Sequence, residues 1–218
     1  MDWAAQIDIY CERTDFTYWS EPLNALTNFF YLFGALWAWH RNREPGLGLA
    51  RLLAFLLGCI AVGSYLFHTH ATGWASTADV TPIGLFILTY LFAVHRDVLG
   101  LQWWVAAGAT LLFLPYAAVM VPLMDRLPFF SISNFYWTVP ILLVAYAPFV
   151  ARINWSTARG MLIGAAILTV SITLRSFDLI LCDIWPIGTH IFWHSLNAVM
   201  LPFMIEVYRR HRLAHPAA

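Results

Sequence analysis

An all-α bundle of seven membrane-spanning helices is the fold this sequence predicts, and three observations predict it. Of the 218 residues, 61% are hydrophobic and only 11% charged, about half the charged fraction of a soluble domain, and mean hydropathy is +0.67. The apolar residues fall into seven runs, each near the ~20 residues that cross a bilayer. The arginines alternate along the chain as an odd number of crossings requires.

The runs fall at about 22–40, 51–70, 80–95, 102–123, 134–151, 160–181 and 187–208, the third being the shortest. Turn-like or charged segments separate them: Arg41 to Gly48, Gly73 with its neighbours, His95-Arg96-Asp97, Asp125-Arg126, Asn154-Trp155-Ser156 and Asp183 to Pro186. Pro115, Pro140, Pro148 and Pro202 lie inside runs, where neighbouring helices satisfy the freed carbonyls. With seven short-looped spans, residues 1–218 form a single membrane domain. Residues 1–21 are polar and acidic, with neither the basic nor the apolar region of a signal peptide. Net charge is zero, which argues against a nucleic-acid binder.

There is no lysine, so arginine alone sets orientation. Seven spans put Arg41, Arg43, Arg51, Arg96, Arg152, Arg159, Arg209, Arg210 and Arg212 on the side of the C-terminus. Arg13 and Arg126 fall on the other side, together with Asp8, Glu12, Asp15 and Glu21. The C-terminus is therefore expected in the cytoplasm and the N-terminus outside.

His190 and His194 stand four residues apart in the seventh run, so both imidazoles project from one helix face. Imidazole in hydrocarbon demands a partner, and zinc is the usual partner of the neutral ring. The second run ends with Ser64 and His68, again at i and i+4, and Asp79 follows. On one helix His68 and Asp79 would lie about 16 Å apart; the Ala71-Thr72-Gly73 break lets the chain reverse and bring them together. The predicted topology then puts His68, Asp79, His190 and His194 at one depth near the outer face. Three imidazoles and a water make an open catalytic zinc site, where the pKa of bound water falls to about 7. Asp79 is the candidate base for that water and proton donor to a leaving amine. Ser64 is the candidate donor to a developing oxyanion. The set suits hydrolysis of an amide or ester presented from the lipid phase.

Each residue also has a plainer reading. Ser64 is equally a small packing residue, Asp79 an N-cap for the third helix, and His70 a rival to His68. His40, His95, His211 and His215 read as interfacial, and Glu12 and Glu21 as solvated charges. Asn24 and Asn28 read as bonding between helices or touching a lipid headgroup. Arg175 and Asp178 are placed to pair with each other. The tryptophans read as belt and packing residues, with Trp193 beside the site.

Ordered blocks from end to end carry a resemblance: Cys11-Glu12, Glu21-Pro22-Leu23-Asn24 and Asn28; Gly63-Ser64, Phe67-His68 and Asp79; Asp178, Cys182-Asp183, His190 and Trp193-His194. In these the chain resembles the alkaline ceramidase family, within the CREST superfamily of seven-helix membrane hydrolases and receptors, with the compact termini of a bacterial-type member. The resemblance implies a zinc-dependent amidase that cleaves the N-acyl bond of ceramide-like lipids, with zinc on His68, His190 and His194, Asp79 activating water and Ser64 assisting. It implies a membrane lipid as substrate, no obligate protein partner, and residence in a cell membrane with the site toward the outer face. It further implies a Cys11–Cys182 disulfide, compatible with an oxidising outer compartment, while Cys59 reads as mid-span packing. A calcium site of N-terminal acids belongs to the family. Glu12 and Glu21 match it; where a further acid is expected Ile9 stands, with Asp8 beside it and Asp15 as the other substitute. Two alternatives remain: a superfamily hydrolase of another lipid amide or ester, and a non-catalytic receptor-like protein with a structural zinc.

Overall fold

The computed structural model describes residues 2–215. The regular structure of the described residues is all helical and contains no strand, the nearest thing to one being a single bridge between Gln6 and Thr72. Helix α1 runs Pro22–Arg41, α2 Gly48–His70 and α3 Gly73–Ala93, the last continuing as a π-turn over Val94–Val98. Next come α4 (Trp103–Leu111), α5 (Phe113–Asp125) and the single turn α6 (Pro128–Ser131). Then follow α7 (Asn134–Ala151), α8 (Trp155–Phe177), a 3₁₀ turn at Leu179–Leu181, and α9 (His190–Ala214).

Five stretches are long and apolar enough to cross a membrane: α2, α3 with its π-turn, α4 and α5 together, α7 and α8. The break between α4 and α5 has a cause in the sequence. Pro115 has no N–H for the carbonyl of Leu111, so the ladder opens there. The helices α1 and α9 fall outside the five because of what they carry. Asn24 and Asn28 on α1, and His190, His194, Asn197 and Glu206 on α9, lower the average hydropathy, yet all are buried. Phe33, Trp103 and Val119, by contrast, are 63%, 70% and 70% exposed. Large apolar side chains outside and polar ones inside are the inverse of a water-soluble surface and are consistent with a membrane protein.

Consecutive segments are neighbours, and α9 packs on both α8 and α1. The chain thus closes a ring, α1–α2–α3–α4/α5–α7–α8–α9, around a central space. The tightest approach in it is between α2 and α3. A Cβ on Gly63 would overlap the Ala78 carbonyl and sit 3.0 Å from the Asp79 Cα. Only glycine permits this spacing, and it holds Asp79 beside the residue after Gly63, which is Ser64.

Helix α3 is longer than the third apolar run implies. It starts at Gly73, directly after a left-handed Ala71 (φ 46°) reverses the chain, so Asp79 lies in its second turn and not at its mouth. The N-terminal segment crosses this end of the ring. Ile7 N–H donates to the Ala71 carbonyl (2.8 Å) and Gly73 N–H to the Ala5 carbonyl (3.1 Å). Cys11 is disulfide-bonded to Cys182, with Cα atoms 5.3 Å apart, which ties the segment to the loop before α9. Cys59 is free and half-buried.

Candidate metal centre

The histidines His68, His190 and His194 meet. Each is buried to within 2% of full exclusion from solvent, and each offers a ring nitrogen within 4.8 Å of the others. They come from the last turn of α2 and the first two turns of α9, the juxtaposition the ring closure makes possible. Among the described residues they are the sole group of three or more His, Cys, Asp or Glu able to hold a metal ion. His70, the rival ligand, is exposed and packs against Trp74 and Tyr18.

Hydrogen bonds settle which nitrogens are free. His68 Nδ1 lies 2.6 Å from the Glu21 carboxylate, an acceptor only when ionised, so Nδ1 carries the proton and Nε2 a bare lone pair. His194 Nδ1 lies 2.7 Å from Thr27 Oγ1. That hydroxyl donates its own proton to the Asn24 carbonyl at 2.8 Å, so it accepts from His194 and leaves the same Nε2 open. His190 Nδ1 is buried with no hydrogen-bond partner among the described residues. Two oriented imidazoles and an orphaned third, with a carboxylate behind one of them, fit the donor chemistry and outer support of a histidine-rich metal centre.

The backbone around these rings is fixed with equal care. Asp178, at the end of α8, caps α9 from outside it. One carboxylate oxygen accepts from the N–H groups of Thr189 (2.6 Å) and His190 (2.8 Å), the other from Cys11 N–H (2.9 Å). Gly188 makes this possible with φ +74°, in space where a Cβ would lie 2.8 Å from the Cys11 Cβ. Asp178 therefore does not pair with Arg175. The arginine turns inward, donating to Ser133 Oγ (2.8 Å) and Tyr10 Oη (3.2 Å).

Most of the N-terminal acids accept hydrogen bonds within the fold. One Glu21 oxygen takes Arg13 Nε at 2.5 Å; the other takes His68 and, at 3.1 Å, Asn24 Nδ2. Burial alone would raise the Glu21 carboxyl, but His68 and Arg13 outweigh it and hold it below its usual range. Both Glu12 oxygens accept the first backbone N–H groups of α1, at Leu23 (2.6 Å) and Asn24 (2.8 Å), a side-chain cap on a helix N-terminus. Asp8 is exposed, and Asp15 bonds Thr17 locally. Among the described residues these acids form no group of three placed to hold a metal ion.

Ser64, Asp79, His190 and His194 line one end of a cavity in the middle of the ring. From there it runs between α3, α7, α8 and α9 to Leu91, Val94, Tyr146 and Met204, about 20 Å along α3 at 1.5 Å per residue. Beyond its polar end the lining is almost wholly apolar. Its volume is about 100 Å³. Tyr10 roofs the polar end, its ring 3.7 Å from that of His190 in a stack and 5.3 Å from that of His68.

Tyr10, Arg13, Thr27 and the inward Arg175 were not singled out as site residues by the sequence. Of these only Thr27 carries a legible signal, its place with Glu21, Asn24 and Asn28 in a polar stripe at helical period. His95 was misplaced. It is buried, with Nδ1 2.9 Å from Thr110 Oγ1 and Nε2 2.6 Å from Tyr146 Oη, because the π-turn swings it inward. His211, also read as interfacial, is buried with Nδ1 3.0 Å from Thr157 Oγ1. Asn28 bonds within its own helix, to the Asn24 carbonyl. No protein-family model matches this chain, and no curated protein matches it.

Proposed function

We propose that the protein is a zinc-dependent hydrolase of membrane lipid amides, as its resemblance to the alkaline ceramidases implies. The ring of helices spans a cell membrane seven times, with the N-terminal segment outside and the site near the outer face. The observation that carries this reading is the convergence of three imidazoles with free nitrogens beside Asp79 and Ser64, at the polar head of a chain-shaped apolar cavity.

His68, His190 and His194 hold the zinc, and Glu21 and Thr27 keep the first and last of them in the ligating tautomer. A zinc ion there supplies Lewis-acid activation of water and of the scissile carbonyl. The chain's own residues supply the rest. The apolar walls take the acyl chain, which leaves its carbonyl at the polar head between α2, α3 and α9. Asp79 accepts a proton from the attacking water and returns it to the leaving amine. Ser64 donates to the carbonyl oxygen as charge gathers on it. Tyr10 and the disulfide-tethered segment cover the head from the outer side, which keeps bulk water out and directs lipid entry to the membrane side.

Metal analysis of the purified protein, run beside a panel of ceramides, acyl-ethanolamides, phospholipids and simple esters, tests the reading. About one zinc per chain together with amide cleavage supports it. Zinc without turnover on any lipid would leave a receptor-like protein with a structural metal.

A further inference from the structure

The cavity head holds a cation that the mechanism does not use. Arg175 lines it beside His190 and Trp193, and its guanidinium sits 5.1 Å from the Tyr136 ring and 5.7 Å from those of Tyr10 and Trp193. None of the ion pairs among the described residues includes it. Asp79 lines the same cavity, but the two do not pair.

Its hydrogen bonds also fall short of its capacity. A guanidinium has five N–H donors. Nη1 uses its two on Ser133 Oγ (2.8 Å) and the Ile132 carbonyl (3.3 Å), and Nη2 uses one on Tyr10 Oη (3.2 Å). Nε–H and one Nη2–H have no acceptor among the described residues. Adjacent donors of this kind form the fork that takes a carboxylate bidentately. A membrane interior is an expensive place for a cation, and aromatic faces offset that in part. A cavity apolar along its length, with a cation among its lining residues at the head, is complementary to a lipid chain that ends in an anion.

We propose that Arg175 is a carboxylate-recognition residue and that the cavity takes a single-chain lipid bearing a carboxylate at its head. The acid has two possible sources. It is the amine half of an N-acyl amino acid, next to the amide, or it is the fatty acid itself, bound as product. The proposal rests on the lipid-cavity reading above and narrows it: a two-chain ceramide carries no such charge.

Equilibrium binding to the purified, metal-loaded protein in detergent tests it, with N-palmitoylglycine, N-palmitoylethanolamine and palmitate as probes. The first two share chain and amide and differ in an acid against a hydroxyl. The wild type should bind N-palmitoylglycine or palmitate at least tenfold more tightly than N-palmitoylethanolamine. Arg175→Gln should weaken the acids about ten- to a hundredfold, the range for a charge-assisted pair, and leave the ethanolamide unchanged. Arg175→Lys, which keeps the cation, should retain much of the preference. Preference for N-palmitoylglycine over palmitate assigns the charge to the amine half; the reverse assigns it to the product. Equal wild-type affinity for acid and hydroxyl overturns the proposal without any variant. So does equal weakening of all three probes by Arg175→Gln, which would make the residue a brace for Tyr10. Because binding is read and not turnover, failure of the hydrolase reading is seen separately, as acid-selective binding with no cleavage of either amide.

Discussion

The end of the bundle that holds the three histidines and the end opposite it both bury charge and imidazole, but they treat it in opposite ways. At the far end the charged groups pair with one another. Asp97 accepts from Arg96 at 2.8 and 2.9 Å and from Tyr208, with Arg212 at 3.8 Å. Glu206 lies among Arg41 (3.5 Å), Arg209 (3.7 Å) and Arg210 (2.9 Å), and Arg209 reaches on to Glu44 at 2.8 Å. His95 has both nitrogens bonded. At the histidine end, a Glu, a Thr and an Asp are spent on orienting rings and backbone, and His190, His194 and Arg175 line a cavity. Mutually satisfied polar groups hold helices together. Polar groups that are oriented but left unsatisfied await a ligand.

That contrast is open to attack, most severely through His194. His194→Ala is expected to abolish lipid hydrolysis and lower bound zinc, read by metal analysis and product formation. Full activity in the variant would end the metal role. Asp79→Asn should separate holding from turning over: zinc content stays, and the rate falls on the order of 10²–10⁴-fold, the usual contribution of a positioned base. An unchanged rate would remove Asp79 from the chemistry. Glu21→Gln probes the support behind His68. Chelator competition should show zinc held about 10- to 100-fold more weakly, and identical zinc affinity would reduce Glu21 to a partner of Arg13. The smallest effect is expected at the far end. Tyr208→Phe removes a hydrogen bond to Asp97 and should lower stability by about 1–3 kcal/mol in denaturant or thermal unfolding, with zinc content and turnover intact. A loss of zinc there would mean that the two ends are coupled and the comparison is false.

Much of the site was legible because helical period is a local rule. His190 with His194, and Ser64 with His68, share faces by spacing alone, and the Ala71 reversal is written in the residues around Gly73. The errors share a cause as well. Arg175 and Asp178 look like an ion pair because they are three apart with opposite charge, yet Asp178 is drawn off by three N–H groups from two remote segments. Glu12 and Glu21 look like free acids because their partners, the start of α1, Arg13 and His68, meet them only after the N-terminal segment folds back over the ring. His95 reads as interfacial because a π-turn is invisible in hydropathy.

By itself the sequence determined an all-helical, membrane-compatible chain, the faces on which its polar residues lie, and the resemblance those residues carry. Period and composition act over a few residues, so they can be read directly. Tertiary structure alone decided that α9 returns to α1 and α2, so that imidazoles more than a hundred residues apart in the chain meet in one cluster. It also decided which polar groups are consumed by the fold and which are left over. Hydrogen-bond satisfaction is a property of neighbours, and neighbours in a closed ring are set by packing, not by order along the chain.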